Sequence, residues 1–151
     1  MALIVSTGDP GLHVFPTHRV FAGRPELREP GEGEQVASLE EALARLAEET
    51  HDHSVAIAYR GGHAEIVRGA EGELDVELVD RHGLDGISYT PRTEEAVDAV
   101  DAGKADAAYL LREPRLEDVF AVARRGGLMP SKSTYFFPKP LSGLLFHPVD
   151  A

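Results

Sequence analysis

The sequence predicts an α/β or α+β domain in which helices pack against a mixed sheet in two layers. Three observations carry that expectation. Helical and extended patterns alternate through the middle of the chain, hairpin-like pairs flank them, and 151 residues with 42% apolar content suffice for one core without disulfides or metal. The flanking pairs argue against a purely parallel wound sheet. Residues 1–151 are therefore expected to form one domain.

The elements follow in order. Ala2 to Val5 is a short apolar run that reads as a buried strand, far too short for a signal-peptide core or a membrane span. Thr7-Gly-Asp-Pro-Gly11 is turn chemistry. Leu12 to Phe15 is a second extended piece, and Pro16 leads Thr17 to Phe21. Ala22 to Glu34, rich in Gly, Pro and Glu without apolar periodicity, reads as an exposed loop. Ser38-Leu-Glu-Glu41 has the capping-box form, and Leu39, Leu43 and Leu46 at i, i+4 and i+7 predict a helix over 38–49. Val55, Ile57 and Tyr59 alternate with small residues, Arg60-Gly-Gly62 turns, and Ala64 to Arg68 returns as a hairpin.

Leu74 to Val79 fits two elements, because Leu74, Val76 and Leu78 alternate as in a strand while Leu74, Leu78 and Val79 suit a helix ending at Gly83. Thr93 is expected to cap a helix whose Ala96, Val97 and Val100 face inward and which stops at Gly103. Ala105 to Leu111 reads as a buried strand. Pro114 is expected in the first turn of a helix with Leu116, Val119, Phe120 and Ala123 on its inner face, and Arg124-Arg125 complement its dipole before Gly126-Gly127. Thr134 to Phe137 and Leu141 to Phe146 are two further extended pieces around Pro138-Lys-Pro140.

Charge narrows the partners. With 26 Asp and Glu against 15 Lys and Arg, the formal charge is -11, and such a field repels polyanions, so nucleic acid is not an expected partner. The chain has no cysteine, which removes disulfides, thiolate nucleophiles and cysteine-ligated zinc, and the expected compartment is the cytoplasm.

Two polar clusters lie between apolar segments, where loops carry function. In Pro16-Thr-His-Arg19, the hydroxyl of Thr17, the imidazole of His18 and the guanidinium of Arg19 together suit a phosphate or carboxylate. The alternative there is an exposed strand edge with solvated side chains. In Met129-Pro-Ser-Lys-Ser-Thr134, Lys132 supplies a point charge while Ser133 and Thr134 supply hydroxyls and loop amides. The alternative is a connector whose Ser and Thr cap its own backbone. It is not a Walker loop, because Gly126 and Gly127 are adjacent and the spacing before the lysine is missing. Among seven histidines only His51-Asp-His53 forms a close pair, and without a zinc-ligand pattern it reads as a turn with solvated histidines; no metal is expected. A Gly-x-Ser-x-Gly elbow is also absent from the sequence.

Asp9-Pro-Gly-Leu12, Phe15-Pro-Thr-His-Arg19, Gly86-Ile-Ser-Tyr-Thr90, Gly103-Lys-Ala-Asp-Ala-Ala108, Met129-Pro-Ser-Lys-Ser-Thr-Tyr-Phe-Phe-Pro-Lys139 and Ser142-Gly-Leu144 occur in this order. Together they resemble domain-of-unknown-function family 1015, a bacterial family without a settled activity. The resemblance covers the carboxy-terminal half of longer members only. It favours the helical alternative for Leu74 to Val79. The longer members carry an upstream Asp-Gly-His-His-Arg-Tyr type motif, similar to partition-protein-like and serine-kinase-like domains, and no such motif occurs here. If that motif is the catalytic part, this chain does not run a reaction by itself, and an autonomous phosphotransferase would in any case need a nucleotide site that the sequence does not display.

The expected function is a binding domain for an anionic metabolite, using Thr17, His18, Arg19, Lys132, Ser133 and Thr134 and no cofactor. The alternative is a structural or dimerisation half of a larger, kinase-like assembly, pairing with itself or with a separate upstream polypeptide through Tyr135-Phe136-Phe137. No membrane partner is expected.

Overall fold

A computed structural model describes residue 6 and residues 8–48, 53–70 and 72–139. Its elements are β1 (His13–Phe15), β2 (His18–Phe21), β3 (Glu34–Val36), α1 (Leu39–Glu48), β4 (Ser54–Ala58), β5 (Ala64–Arg68), α2 (Asp75–Asp80), β6 (Ile87–Thr90), α3 (Thr93–Asp101), β7 (Ala107–Leu110), α4 (Leu116–Arg124) and β8 (Tyr135–Phe137). The extended pieces expected at Ala2 to Val5 and Leu141 to Phe146 lie outside the described residues.

Strand alternation sorts the core into two layers. In β4 every residue is buried, so this strand is covered on both faces. Ala56 and Ala58 join Val20, Ile66, Ala108 and Leu110 under α1 and α3, which contribute Ala42, Leu46, Ala96 and Val100. Small side chains along that face let both helices sit close to the strands. Val55 and Ile57 face the other way, with Phe21, Tyr109 and the Val76 and Val79 side chains of α2. Each fully buried Leu, Val or Phe of these layers contributes about 1.5–3 kcal/mol. An α+β domain with helices against a sheet is what the sequence predicts. Two details differ from the expected two-layer mixed sheet: helices cover both faces, since β4 is buried on each side, and the six strands, ordered β3-β5-β4-β7-β2-β6, pair antiparallel throughout, every hydrogen-bonded neighbour running in the opposite sense.

Local chemistry accounts for the boundaries. The Glu41 amide donates to Ser38 Oγ at 3.1 Å and the Ala37 amide to the Glu41 carboxylate at 3.1 Å, which starts α1 as the capping pattern predicts. Leu74 to Val79 resolves as helix α2, whose first turn is held by the Leu74 amide donating to the Glu77 carboxylate at 2.7 Å. The predicted hairpin forms β4 and β5, with Ala58 opposite Ala64 and Ser54 opposite Arg68.

Four local expectations change. Within the stretch expected to be an exposed loop, Pro25–Leu27 forms a 3-10 turn that buries Leu27, and Glu34 opens the edge strand β3. An edge strand needs main-chain pairing and no apolar repeat, so periodicity could not reveal it. Thr93 is the first helical residue of α3, not its cap, because its hydroxyl is drawn to His18. Pro114 precedes α4, which starts at Leu116. On α4 Val122 is buried while Phe120 and Ala123 are exposed, since no residue of this helix joins either core layer of the main sheet.

β1 and β8 form a separate two-stranded ribbon, with Phe15 packed between the rings of Tyr135 and Phe137. Among the described residues no helix is long and apolar enough to cross a membrane.

Candidate ligand cavity

β2 is an interior strand, hydrogen-bonded to β7 on one side and β6 on the other, so the exposed-edge alternative for Thr17 to Arg19 is overturned. All four of its residues are buried. Alternation then separates neighbours in sequence: Arg19 and Phe21 face the α2 layer, His18 and Val20 the α1 and α3 layer.

His18 is consumed by the fold. The Leu111 amide donates to its Nδ1 at 3.1 Å, which leaves the proton on Nε2 to donate to Thr93 Oγ1 at 3.0 Å. Burial, reinforced by the Arg19 charge, lowers the imidazole to about 4, so it is neutral at physiological pH. It does not line the cavity described next.

Arg19 is 1% exposed, an unusual place for a guanidinium. Its Nη1 donates to the Thr17 carbonyl, its Nη2 donates to the Ser131 carbonyl at 3.2 Å, and its head lies 5.4 Å from the centre of the Tyr89 ring. Nε has no hydrogen-bond partner. Burial lowers its pKa, Asp80 and Tyr89 oppose that shift, and no carboxylate among the described residues forms an ion pair with it. Asp80 is itself raised by burial, with Arg19 pulling the other way.

Arg19 lines a cavity of about 280 Å³ at the end of the sheet where β2 and β4 begin and β7 ends. Thr17 and Ser133 join it there, so the two polar clusters, more than a hundred residues apart in the chain, meet at one place. Arg19 ties them directly, because its bond to Ser131 spans a sequence separation of 112. Ser133 is buried and donates from Oγ to the Pro130 carbonyl at 2.7 Å, closing the turn. That turn puts Lys132 in a left-handed conformation, φ 58°, with an exposed side chain, and neither Lys132 nor Thr134 lines the cavity.

The sequence reading missed the opposite wall. Leu74, Val76, Leu111, Pro114 and Met129 give it an apolar lining. Asp75, Arg112 and His53 give it a polar one. Arg112 grips Asp75 through Nε and Nη2, both at 2.9 Å, and the Ser54 amide donates to the same carboxylate at 2.9 Å. His53 Nδ1 stands 3.9 Å from Asp75, and its side chain is mostly buried, not solvated as the sequence suggested. Arg115 pairs with Asp118 through two bonds of 2.9 and 3.1 Å at the cavity rim. The available signal was Arg112-Glu-Pro114 directly after a buried strand, charged residues where an apolar run stops.

The arrangement is suited to holding a ligand by charge and shape. Among the described residues no group of three or more His, Asp or Glu side chains could hold a metal ion.

No protein-family model matches the chain, and no curated protein matches it in sequence. In fold it is similar to a conserved hypothetical protein from Pyrococcus furiosus, with a TM-score of 0.55 and 19% identity. The match covers 89% of this chain and 60% of that one, so the chain spans less than two thirds of its structural neighbour.

Proposed function

We propose that this chain is a binding domain for a small metabolite carrying a phosphate or carboxylate group, held in the cavity between β2, α2 and α4. One observation supports it above the rest: Arg19 is a buried guanidinium without an ion pair whose Nε lacks a partner, and it lines a cavity with both apolar and charged walls. A buried cation is costly unless it is paired, and an anion accepting from the guanidinium would both pair the charge and occupy a donor. Thr17 and Ser133 supply further polar groups beside it, whereas His18, Lys132 and Thr134 have no part in this site. Kinship with domain-of-unknown-function family 1015 belongs to the same reading, since the two clusters that meet at Arg19 are among the motifs that carry the resemblance.

Thermal unfolding with sodium phosphate or sodium acetate, against sodium chloride of equal ionic strength, tests the reading. Phosphate or acetate at 100 times its dissociation constant is expected to stabilise the wild type by about 2.7 kcal/mol. Arg19→Lys, which keeps the charge and loses the fork, is expected to weaken this protection by about tenfold or more in concentration. Lys132→Ala is expected to leave it intact. Equal protection of wild type and Arg19→Lys, or none beyond chloride, refutes the proposal.

The second reading, a half that pairs with another polypeptide or with itself, draws on the ribbon. Tyr135, Phe136 and Phe137 are all exposed in β8. Sedimentation at micromolar concentration is expected to show a dimer that Phe136→Ser weakens; a monomer at all concentrations removes self-pairing.

A further inference from the structure

Charge pairing within the cavity narrows the ligand. Three guanidinium groups line it, yet two are already engaged: Arg112 by Asp75 and Arg115 by Asp118, each through two hydrogen bonds. That leaves Arg19 as the cation with no carboxylate. The acidic side is symmetrical. Asp75 and Asp118 are matched, and Glu113, which lines the same cavity with an exposed side chain, forms neither a hydrogen bond nor an ion pair among the described residues. The lining thus offers one buried positive group and one exposed negative group, together with the apolar side chains of Leu111, Pro114 and Met129.

We infer that the ligand is a small zwitterion with an apolar body, of the α-amino-acid class, its carboxylate on Arg19 and its ammonium toward Glu113. This deepens the anion-binding reading and rests on it. A di- or triphosphate would bring several negative charges to a site with a single uncommitted cation and would approach the Glu113 carboxylate, a like-charge contact. A plain carboxylate would satisfy Arg19 and leave Glu113 unused. An amino acid neutralises both ends and keeps the cavity, whose ionised side chains balance in sign, neutral overall. A cavity of about 280 Å³ admits a molecule of that size.

The test is calorimetric titration of the full chain with L-leucine and L-methionine against their desamino counterparts, 4-methylpentanoate and 4-(methylthio)butanoate, and with sodium phosphate. At least one amino acid is expected to bind about tenfold or more tighter than its desamino counterpart, the scale of one well-placed ion pair. Glu113→Gln, an exposed and isosteric change that spares the fold, is expected to bring that ratio close to one without weakening the desamino acid. The inference is overturned if the desamino acids bind as tightly as the amino acids, if the ratio survives in Glu113→Gln, or if phosphate alone binds. Arg19-dependent binding of phosphate or of the desamino acids in those cases leaves the anion-binding reading standing. Absence of binding by every probe overturns both.

Discussion

Between pH 7 and pH 4 the domain is expected to lose about 3 kcal/mol of stability through His18 alone. The imidazole is buried, accepts from the Leu111 amide and donates to Thr93, and its pKa falls to about 4. An unfolded chain takes up that proton near pH 6.5, so between about 6.5 and 4 the unfolded state binds more protons than the folded one. The contribution is therefore complete above pH 6.5 and is lost as pH falls toward 4. His82, lowered by burial and by Arg24, adds in the same direction. Urea unfolding at a series of pH values measures the slope. His18→Gln, which carries no titrating group, is expected to be less stable at pH 7 and to decline less steeply between pH 6.5 and 4.5. Parallel slopes in wild type and variant would show that His18 does not govern the acid limb.

Gly86→Ala is expected to cost about 3 kcal/mol or more, the sum of a left-handed backbone and a steric clash. Gly86 has φ +72°, and a Cβ there would lie 2.2 Å from the carbonyl oxygen of Ala22. The same two residues are joined by the Ala22 amide donating to the Gly86 carbonyl at 2.9 Å, so the backbones cannot part without releasing the end of the β2 and β6 pairing. Gly126 provides the control. It has φ +72° too, yet nothing lies within 4 Å of its Cβ position, so Gly126→Ala should cost only about 1 kcal/mol of backbone strain. Urea midpoints at unchanged slope measure both. A Gly86→Ala loss no larger than that of Gly126→Ala would show that the sheet end yields freely.

Much of the fold was legible where residues report their own neighbours in the chain. The Ser38 and Glu41 pair announced α1, the repeat of Ala96, Val97 and Val100 announced the inner face of α3, and the glycines after Tyr59 announced the β4 and β5 hairpin. Each rests on contacts within a few residues. β3 and β6 were not foreseen, and both are edge strands of the six-stranded sheet, where main-chain pairing suffices and side chains need no apolar pattern. The site was legible in part. Thr17, Arg19 and Ser133 were singled out for their chemistry and do line one cavity, but His18, an equally polar neighbour, is a core residue.

Sequence alone determined helices α1, α3 and α4 to within a turn, the central hairpin, the acidic charge and which side chains have the chemistry to meet an anion, because periodicity, capping and composition are local properties. Tertiary structure alone decided which of them line one cavity. The interior position of β2 sends Arg19 to one face and His18 to the other, the bond from Arg19 to Ser131 closes a separation of 112 residues, and Asp75 and Arg112 arrive from distant elements to build the facing wall. Alternation along a strand is written in sequence, but which face is covered, by what and with which charges left unmatched, depends on long-range packing that no local pattern encodes.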